Sequence, residues 1–132
     1  MSLKINKAVI SIISGMPELA ANVGNKVYPI IAPKGVSLPY ITVIRDGGNS
    51  EYTKDKTGFD NIRSAVEIQA KSYGQSVDIA QAILETMEAT RGTIEGITIN
   101  QIRRVDDDED YVIDKDKNDA YQQVIVFNIK VQ

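Results

Sequence analysis

Apolar residues recur at two different spacings along the chain, and the spacings predict both helices and strands. Between residues 4 and 14 the apolar side chains repeat three and four positions apart, which predicts an amphipathic helix ending at Gly15. The same spacing predicts a second helix over Gln75–Thr90. Ser72 stands three residues before Gln75 as a possible capping box, and Gly92 occupies the place of a C-cap glycine.

Alternating or β-branched segments predict the strands. Over Ile62–Ser72 the even-numbered side chains are apolar or small and most odd-numbered ones are polar, Gln69 among them, which predicts one buried and one wet face. Tyr40–Arg45 is rich in β-branched and aromatic residues and is expected to end at Gly47. Further extended segments are predicted over Val27–Ile31, over Ile94–Val105 with a turn at Glu95–Gly96, and over Ala120–Val131.

The order of helix, strands, helix and strands predicts an α+β fold. We expect a mixed, mostly antiparallel β-sheet with two α-helices packed on one face. The strand, helix and strand over residues 62–105 permit a crossover connection, and the last two strands look like an antiparallel hairpin joined by an acidic loop, Asp106–Asp119. The length of 132 residues and the lack of a linker or repeat predict one domain over residues 1–132.

A long polar segment, Asp46–Asn61, lies between the predicted strands Tyr40–Arg45 and Ile62–Ser72. It is either a mobile hairpin loop or a twisted extension of two strands. Its basic and aromatic residues suggest a nucleic-acid patch, but the acidic residues interleaved with them cancel most of the field. The aromatic side chains either fold back onto the domain or meet a neighbouring subunit. The residues of interest are Glu51, Tyr52, Lys54, Lys56 and Phe59.

An acidic run, Asp106–Asp110, opens the second polar segment. Carboxylates are ligands for Ca²⁺ or Mg²⁺, but the spacing lacks the glycine and the final glutamate of an EF-hand, and contiguous residues cannot all point at one ion. A solvated loop is therefore the favoured interpretation, with a contact to a basic partner surface as an intermediate one. Arg103 and Arg104 are interpreted as partners for the adjacent acidic run.

Composition narrows the chemistry. The chain has no cysteine and no histidine, which excludes Cys and His nucleophiles, His bases, disulfides and Cys/His zinc sites. The net charge of −3 argues against a general nucleic-acid binder. No apolar run is as long as a membrane span. No catalytic set emerges, so we expect no enzyme activity, no metal and no cofactor.

The order of several motifs resembles the tail completion proteins of long-tailed bacteriophages and prophages, also called tail terminator or head–tail joining proteins. The resemblance begins at Ile5 and runs almost to the C-terminus. Its most distinctive part is the proline-rich entry into a strand, Ala32–Val43. Ala70 departs from it, because many members carry a bulky aromatic there. The other matching segments are Gly24–Pro29, Val66–Tyr73, the helix with Ala80 and Leu84, Arg91-Gly92 and Tyr121–Val131.

The resemblance implies a structural subunit that forms a ring, commonly hexameric, on the head-proximal end of the tail tube and presents a surface for head joining. It implies contacts with other copies, the tail tube protein and neck or connector proteins. It places the protein at the tail–neck junction of the virion and in the host cytoplasm during assembly. Sequence-specific nucleic-acid binding and membrane binding are not expected. The candidate assembly-interface residues are Glu51, Tyr52, Lys54, Lys56, Phe59, Arg103, Arg104, Asp106, Asp107, Asp108 and Asp110.

Two alternatives stay open at this point. One is a different junction protein of the same particles, such as a connector or stopper in the neck. The other is a divalent-metal-dependent hydrolase that would use Asp106, Asp108 and Asp110 as ligands.

Overall fold

The computed structural model describes residues 3–52, 58–113 and 119–132, which form an α+β fold as expected. In these ranges six strands form one sheet in the order β1-β2-β3-β6-β5-β4, and only the β1–β2 pair is parallel. In chain order the elements are α1 (Ile5–Ser14), a 3₁₀ turn (Pro17–Leu19), β1 (Val27–Pro29), β2 (Tyr40–Tyr52), β3 (Gly58–Ala70), α2 (Tyr73–Ala89), β4 (Gly92–Ile94), β5 (Ile97–Ile113) and β6 (Asp119–Val131).

One side of the sheet, here called the core face, carries the main apolar core. On β3 the even-numbered residues from Ile62 to Ala70 are fully buried, as the alternation predicts. Both helices add side chains to the same core cluster, among them Val9 from α1 and Ile83 from α2. Polar bonds join the same layers: the Ser64 hydroxyl donates to Asn6 of α1, with an oxygen–oxygen distance of 3.0 Å.

The beginning of α2 confirms the predicted cap. Ser72 Oγ accepts a hydrogen bond from the backbone N–H of Gln75 (3.2 Å), and the Gln75 side chain accepts one from the N–H of Lys71 (3.2 Å). The predicted C-cap is wrong. Thr90 caps the helix instead, and Gly92 begins β4 with φ +108°, a backbone conformation that favours glycine.

Strands β2 and β3 begin or end further into the polar segment Asp46–Asn61 than the sequence pattern predicts. β2 does not end at Gly47 but continues to Tyr52, because a register shift between Arg45 and Gly48 accommodates the glycines as a β-bulge. Of the two interpretations of Asp46–Asn61, the described residues favour the extension of two strands.

Residues 106–113 of the acidic segment form a strand rather than the predicted loop, and residues 114–118 lie outside the described residues. β5 runs through Asp106–Asp110 to Ile113 and pairs with β6 from Ile99 to Ile113. Charged residues are compatible with this strand because it lies near the edge of the sheet, where side chains on both faces reach water. The turn at Glu95–Gly96 is confirmed, with both residues at positive φ.

The opposite side of the sheet, here called the outer face, is covered at one end by the segment that connects β1 to β2. Ala32, Leu38, Tyr40 and Ala120 form a second, smaller core there. Gln69 was expected on a wet face but is only 7% exposed for this reason, and its Oε1 atom has no hydrogen-bond partner. The alternation along β3 cannot reveal this burial, because the covering segment is distant in sequence.

The bulge in β2 brings Gly48 against β3. A β-carbon at Gly48 would overlap the carbonyl oxygen of Asn61, whereas one at Gly74 would meet nothing within 4 Å. We expect Gly48→Ala to lower the free energy of unfolding by about 1–3 kcal/mol through this overlap. Gly74→Ala, in the first turn of α2, is the matched control and should leave stability unchanged or raise it by up to about 1 kcal/mol. Urea unfolding measures both, and equal stability of the two variants would contradict the bulge geometry.

Candidate functional site

The two polar segments singled out in the sequence lie at opposite ends of the sheet. Asp60 of β3 pairs with Val131 of β6, and Ala70 pairs with Tyr121. The β2–β3 hairpin therefore extends beyond β6 at one end. The β5–β6 hairpin extends beyond β3 at the other, where Ile113 pairs with Asp119. The structure does not bring the candidate residues together into one site but divides them between two separated surfaces.

At the β2–β3 end, Glu51 and Tyr52 are part of the β2 backbone and pair with Phe59 and Gly58. The structure places Phe59 against its own chain, because the Lys130 ammonium lies 4.6 Å from the centre of the Phe59 ring. This contact favours the interpretation in which the Phe59 side chain folds back onto its own domain. Lys54 and Lys56 lie outside the described residues.

The two arginines of β5 point to different sides of the sheet. Arg104 pairs across the sheet with Phe127 on the core face, and its guanidinium donates to Asp107 at 2.8 Å, as the sequence predicts. Arg103 pairs with Asn128 on the outer face and makes no ion pair with the acidic run among the described residues. Beside Arg103 the outer face carries three asparagines bonded in a row, Asn128 to Asn61 (3.1 Å) and Asn61 to Asn49 (3.3 Å).

The acidic run divides in the same way. Asp107 and Glu109 pair with core-face residues of β6 and reach toward α2, whereas Asp106, Asp108 and Asp110 lie on the outer face. Glu109 accepts hydrogen bonds from the Tyr73 hydroxyl (3.1 Å) and from the Gln123 amide (3.0 Å). Alternation therefore separates the five carboxylates. Within the described ranges, no three acidic side chains converge in a way that could hold a metal ion.

The backbone explains what the outer-face aspartates do. Beyond Ile99, no strand in the described part of the chain pairs with β5 on the side away from β6. Every second N–H of such an edge points outward and can pair with another chain. Side-chain carboxylates accept hydrogen bonds from four of these backbone N–H groups. The donor N–H and the accepting carboxylate are, in order, Asp107 and Asp106 (2.9 Å), Glu109 and Asp108 (2.9 Å), Tyr111 and Asp110 (2.8 Å), and Arg104 and Glu88 of α2 (3.3 Å).

We expect the triple variant Asp106→Thr, Asp108→Thr, Asp110→Thr to associate edge to edge. It frees three backbone N–H groups of the β5 edge and removes three negative charges that repel a second copy of that edge. Sedimentation across a concentration series should show species larger than those of the wild type. The control, Glu18→Gln, Asp78→Asn, Glu85→Gln, also changes the net charge from −3 to zero but leaves the edge intact. Equal sedimentation of the two triple variants would show that net charge, not the edge, controls association.

An aromatic cluster at the β5–β6 end escaped the sequence interpretation. The rings of Tyr73 and Tyr111 flank Tyr121 edge-on, with centroid distances of 6.1 and 5.2 Å. A hydrogen bond to Glu109 raises the pKa of Tyr73, and one to Asp119 raises the pKa of Tyr111. Tyr111 is 54% exposed despite its contacts. The tyrosines come from three elements, so only the strand register could have revealed the cluster.

A cleft of about 260 Å³ lies on the outer face beside the turn that follows β1. Glu67 and Gln69 of β3 line it together with Ile30, Ile31 and Ile113. Burial raises the pKa of Glu67 above its ordinary value. Its neighbours across the strands, Thr42 and Val124, carry no charge, and the next outer-face residue beyond Val124 is Asp108. No cation lies against Glu67 among the described residues.

The raised pKa of Glu67 predicts the pH dependence of one variant. Between the unfolded and the raised folded pKa the native state holds the extra proton, so stability falls as pH rises through this window. Above the window the wild type carries the full penalty of the half-buried charge, which Glu67→Gln removes. We expect the variant to have the higher urea midpoint at pH 7 and to lose that advantage below the unfolded pKa of about 4.5. A variant midpoint at pH 7 that is equal or lower would refute the assignment.

The sequence model of a family described as tail completion protein gp17 matches residues 7–132. Among solved structures, a chain from the "virion of native gene transfer agent (GTA) particle" aligns with a TM-score of 0.69 at 12% identity and covers 97% of this chain and 95% of that one. At this identity the alignment shows a shared fold. No curated protein sequence matches. In the described residues, neither helix is long and apolar enough to cross a membrane.

Proposed function

The chain belongs to the tail completion protein gp17 family, and we propose that its subunits form a ring that caps the head-proximal end of a phage tail tube and allows head joining. The observation that carries the proposal is the family match over nearly the entire chain. The shared fold with a chain of a phage-like virion supports a structural role. We therefore propose a structural role in bacteriophage assembly and no enzymatic activity.

The positions of the candidate surfaces fit a ring. Contacts around a ring are heterologous, so each subunit needs two different surfaces that face opposite neighbours. The β2–β3 end and the β5–β6 end meet this requirement because they extend in opposite directions from the same sheet. We also infer that both helices cover the core face, which leaves the two ends and the outer face for partners. A hexamer is the stoichiometry that the family resemblance favours.

The β5–β6 end is the stronger contact candidate. Exposed aromatic side chains are enriched at the energetic centres of protein interfaces, and Tyr111 and Ile113 are 54% and 68% exposed. The further partners are the tail tube protein and the neck or connector proteins, at the tail–neck junction of the virion after assembly in the host cytoplasm. The alternative is another neck protein, which would bind capsid portals instead of tail tubes.

Electron microscopy of purified tail tubes tests the proposal. Tubes that lack a completion protein should acquire a ring-shaped density at one end when the wild-type chain is added, and they should stop growing there. Density on capsid portals, with none on tubes, would favour the connector alternative. No density on either would contradict an assembly role at the junction.

Tyr111→Ala tests the contact surface separately. We expect the affinity for the tube end to fall by about 2 kcal/mol, as when an interface aromatic is truncated, because the exposed ring would be lost from the contact. The control is Leu3→Ala, which removes another exposed apolar side chain, just before α1. Binding by sedimentation with tubes gives the readout. Equal binding of both variants would remove the β5–β6 end from the interface.

A further inference from the structure

We propose that the outer-face cleft binds an arginine side chain of a neighbouring protein in the particle, with Glu67 and Gln69 as its acceptors. The existence of such a neighbour rests on the proposed function. The binding chemistry depends only on the cleft itself.

The floor of the cleft carries two acceptor side chains, Glu67 and Gln69. Gln69 Oε1 is buried and has no hydrogen-bond partner, a condition that is unfavourable and rare in folded proteins. Glu67 is half-buried with no cation against it in the described part of the chain. The two residues lie on the same face of β3 about 7 Å apart, two positions along a strand. A donor group that spans both would satisfy both needs at once.

The walls of the cleft are apolar. Ile30 and Ile31 are 69% and 66% exposed on the turn after β1, and Ile113 is 68% exposed on the other side. Ile30 has φ +67°, a left-handed conformation that is a marked outlier for a β-branched residue. Its N–H donates to the carbonyl of Val43 at 3.0 Å, which holds the turn over the sheet. Strain of this kind is found at ligand clamps, and here it presents two isoleucines beside the acceptors.

Arginine matches this combination better than other donors. Its guanidinium has five N–H donors in a planar fork and no acceptor, so it can reach two separated oxygens without leaving an acceptor of its own unpaired. Its methylene stem packs on apolar walls while the charged group lies on acceptors. Lysine carries a compact and more strongly hydrated charge on a single nitrogen. Asp108 and Asp110 on the same face add negative potential that attracts a cation.

Nuclear magnetic resonance of the full chain tests the inference, with N-acetyl-arginine amide as the probe and the neutral N-acetyl-citrulline amide as its matched control. We expect saturable shifts at Ile30, Ile31, Glu67 and Gln69 with the arginine probe in the millimolar range and none with citrulline. Glu67→Gln should weaken binding at least about ten-fold because it removes a charge-assisted bond. Gln69→Leu should also weaken it, and Glu85→Gln, on the exposed side of α2, should not.

Absence of saturable shifts at the cleft in the wild type, or equal binding by wild type and Glu67→Gln, would overturn the inference. Unfolding of a variant is recognised separately from its amide spectrum. Failure of this proposal is distinguishable from failure of the ring proposal. A chain that caps tail tubes but ignores the arginine probe keeps its proposed function and loses this site. A chain that binds the probe but does not cap tubes keeps the site and loses the ring.

Discussion

The last strand of the chain lies in the middle of the sheet, and most other features depend on its pairing. β6 is hydrogen-bonded to β3 on one side and to β5 on the other. It also supplies Ile125, Phe127 and Ile129 to the core shared by both helices. Because β3 and β5 are both antiparallel to β6, they are parallel to each other, and α2 followed by β4 connects them across β6. The fold therefore depends on pairings between residues distant in sequence, a kind of contact that is associated with slow folding.

This central position also determines the two surfaces. The β2–β3 hairpin and the β5–β6 hairpin extend in opposite directions, so one sheet carries two different ends. Among the described residues β5 has a long edge without a neighbouring strand, which would add strands from other chains if its N–H groups were free. Carboxylates accept hydrogen bonds from four of these groups. The acidic run is therefore an integral part of the strand, and its charges follow the same alternation as any strand side chains.

Local pattern was sufficient where one element meets one environment. The period of α1, the Ser72 cap and the alternation on β3 and β6 were all predictable, since each reflects a single buried face. Pattern failed where the environment comes from elsewhere in the chain. Gly47 ends many strands, but a bulge against β3 carries β2 past it. The charge run from Asp106 resembles a loop, but pairing with β6 makes it a strand. Of the candidate site, Arg104 and its partner were predictable, whereas the tyrosine cluster and the cleft needed the register.

The β5 edge and the two ends of the sheet offer different kinds of contact. A strand edge offers repeating and unspecific donors, so its use as a contact would allow open-ended growth of a sheet. Side chains on the ends and on the outer face offer particular shapes and charges, which favour a contact of defined geometry. In this chain carboxylates accept hydrogen bonds from four of the edge N–H groups, while Tyr111, Ile113 and Ile30 are exposed and the unpaired acceptor of Gln69 is buried at the outer-face cleft. This arrangement opposes open-ended strand addition at the edge and leaves side chains of particular shape and charge exposed for contacts of defined geometry.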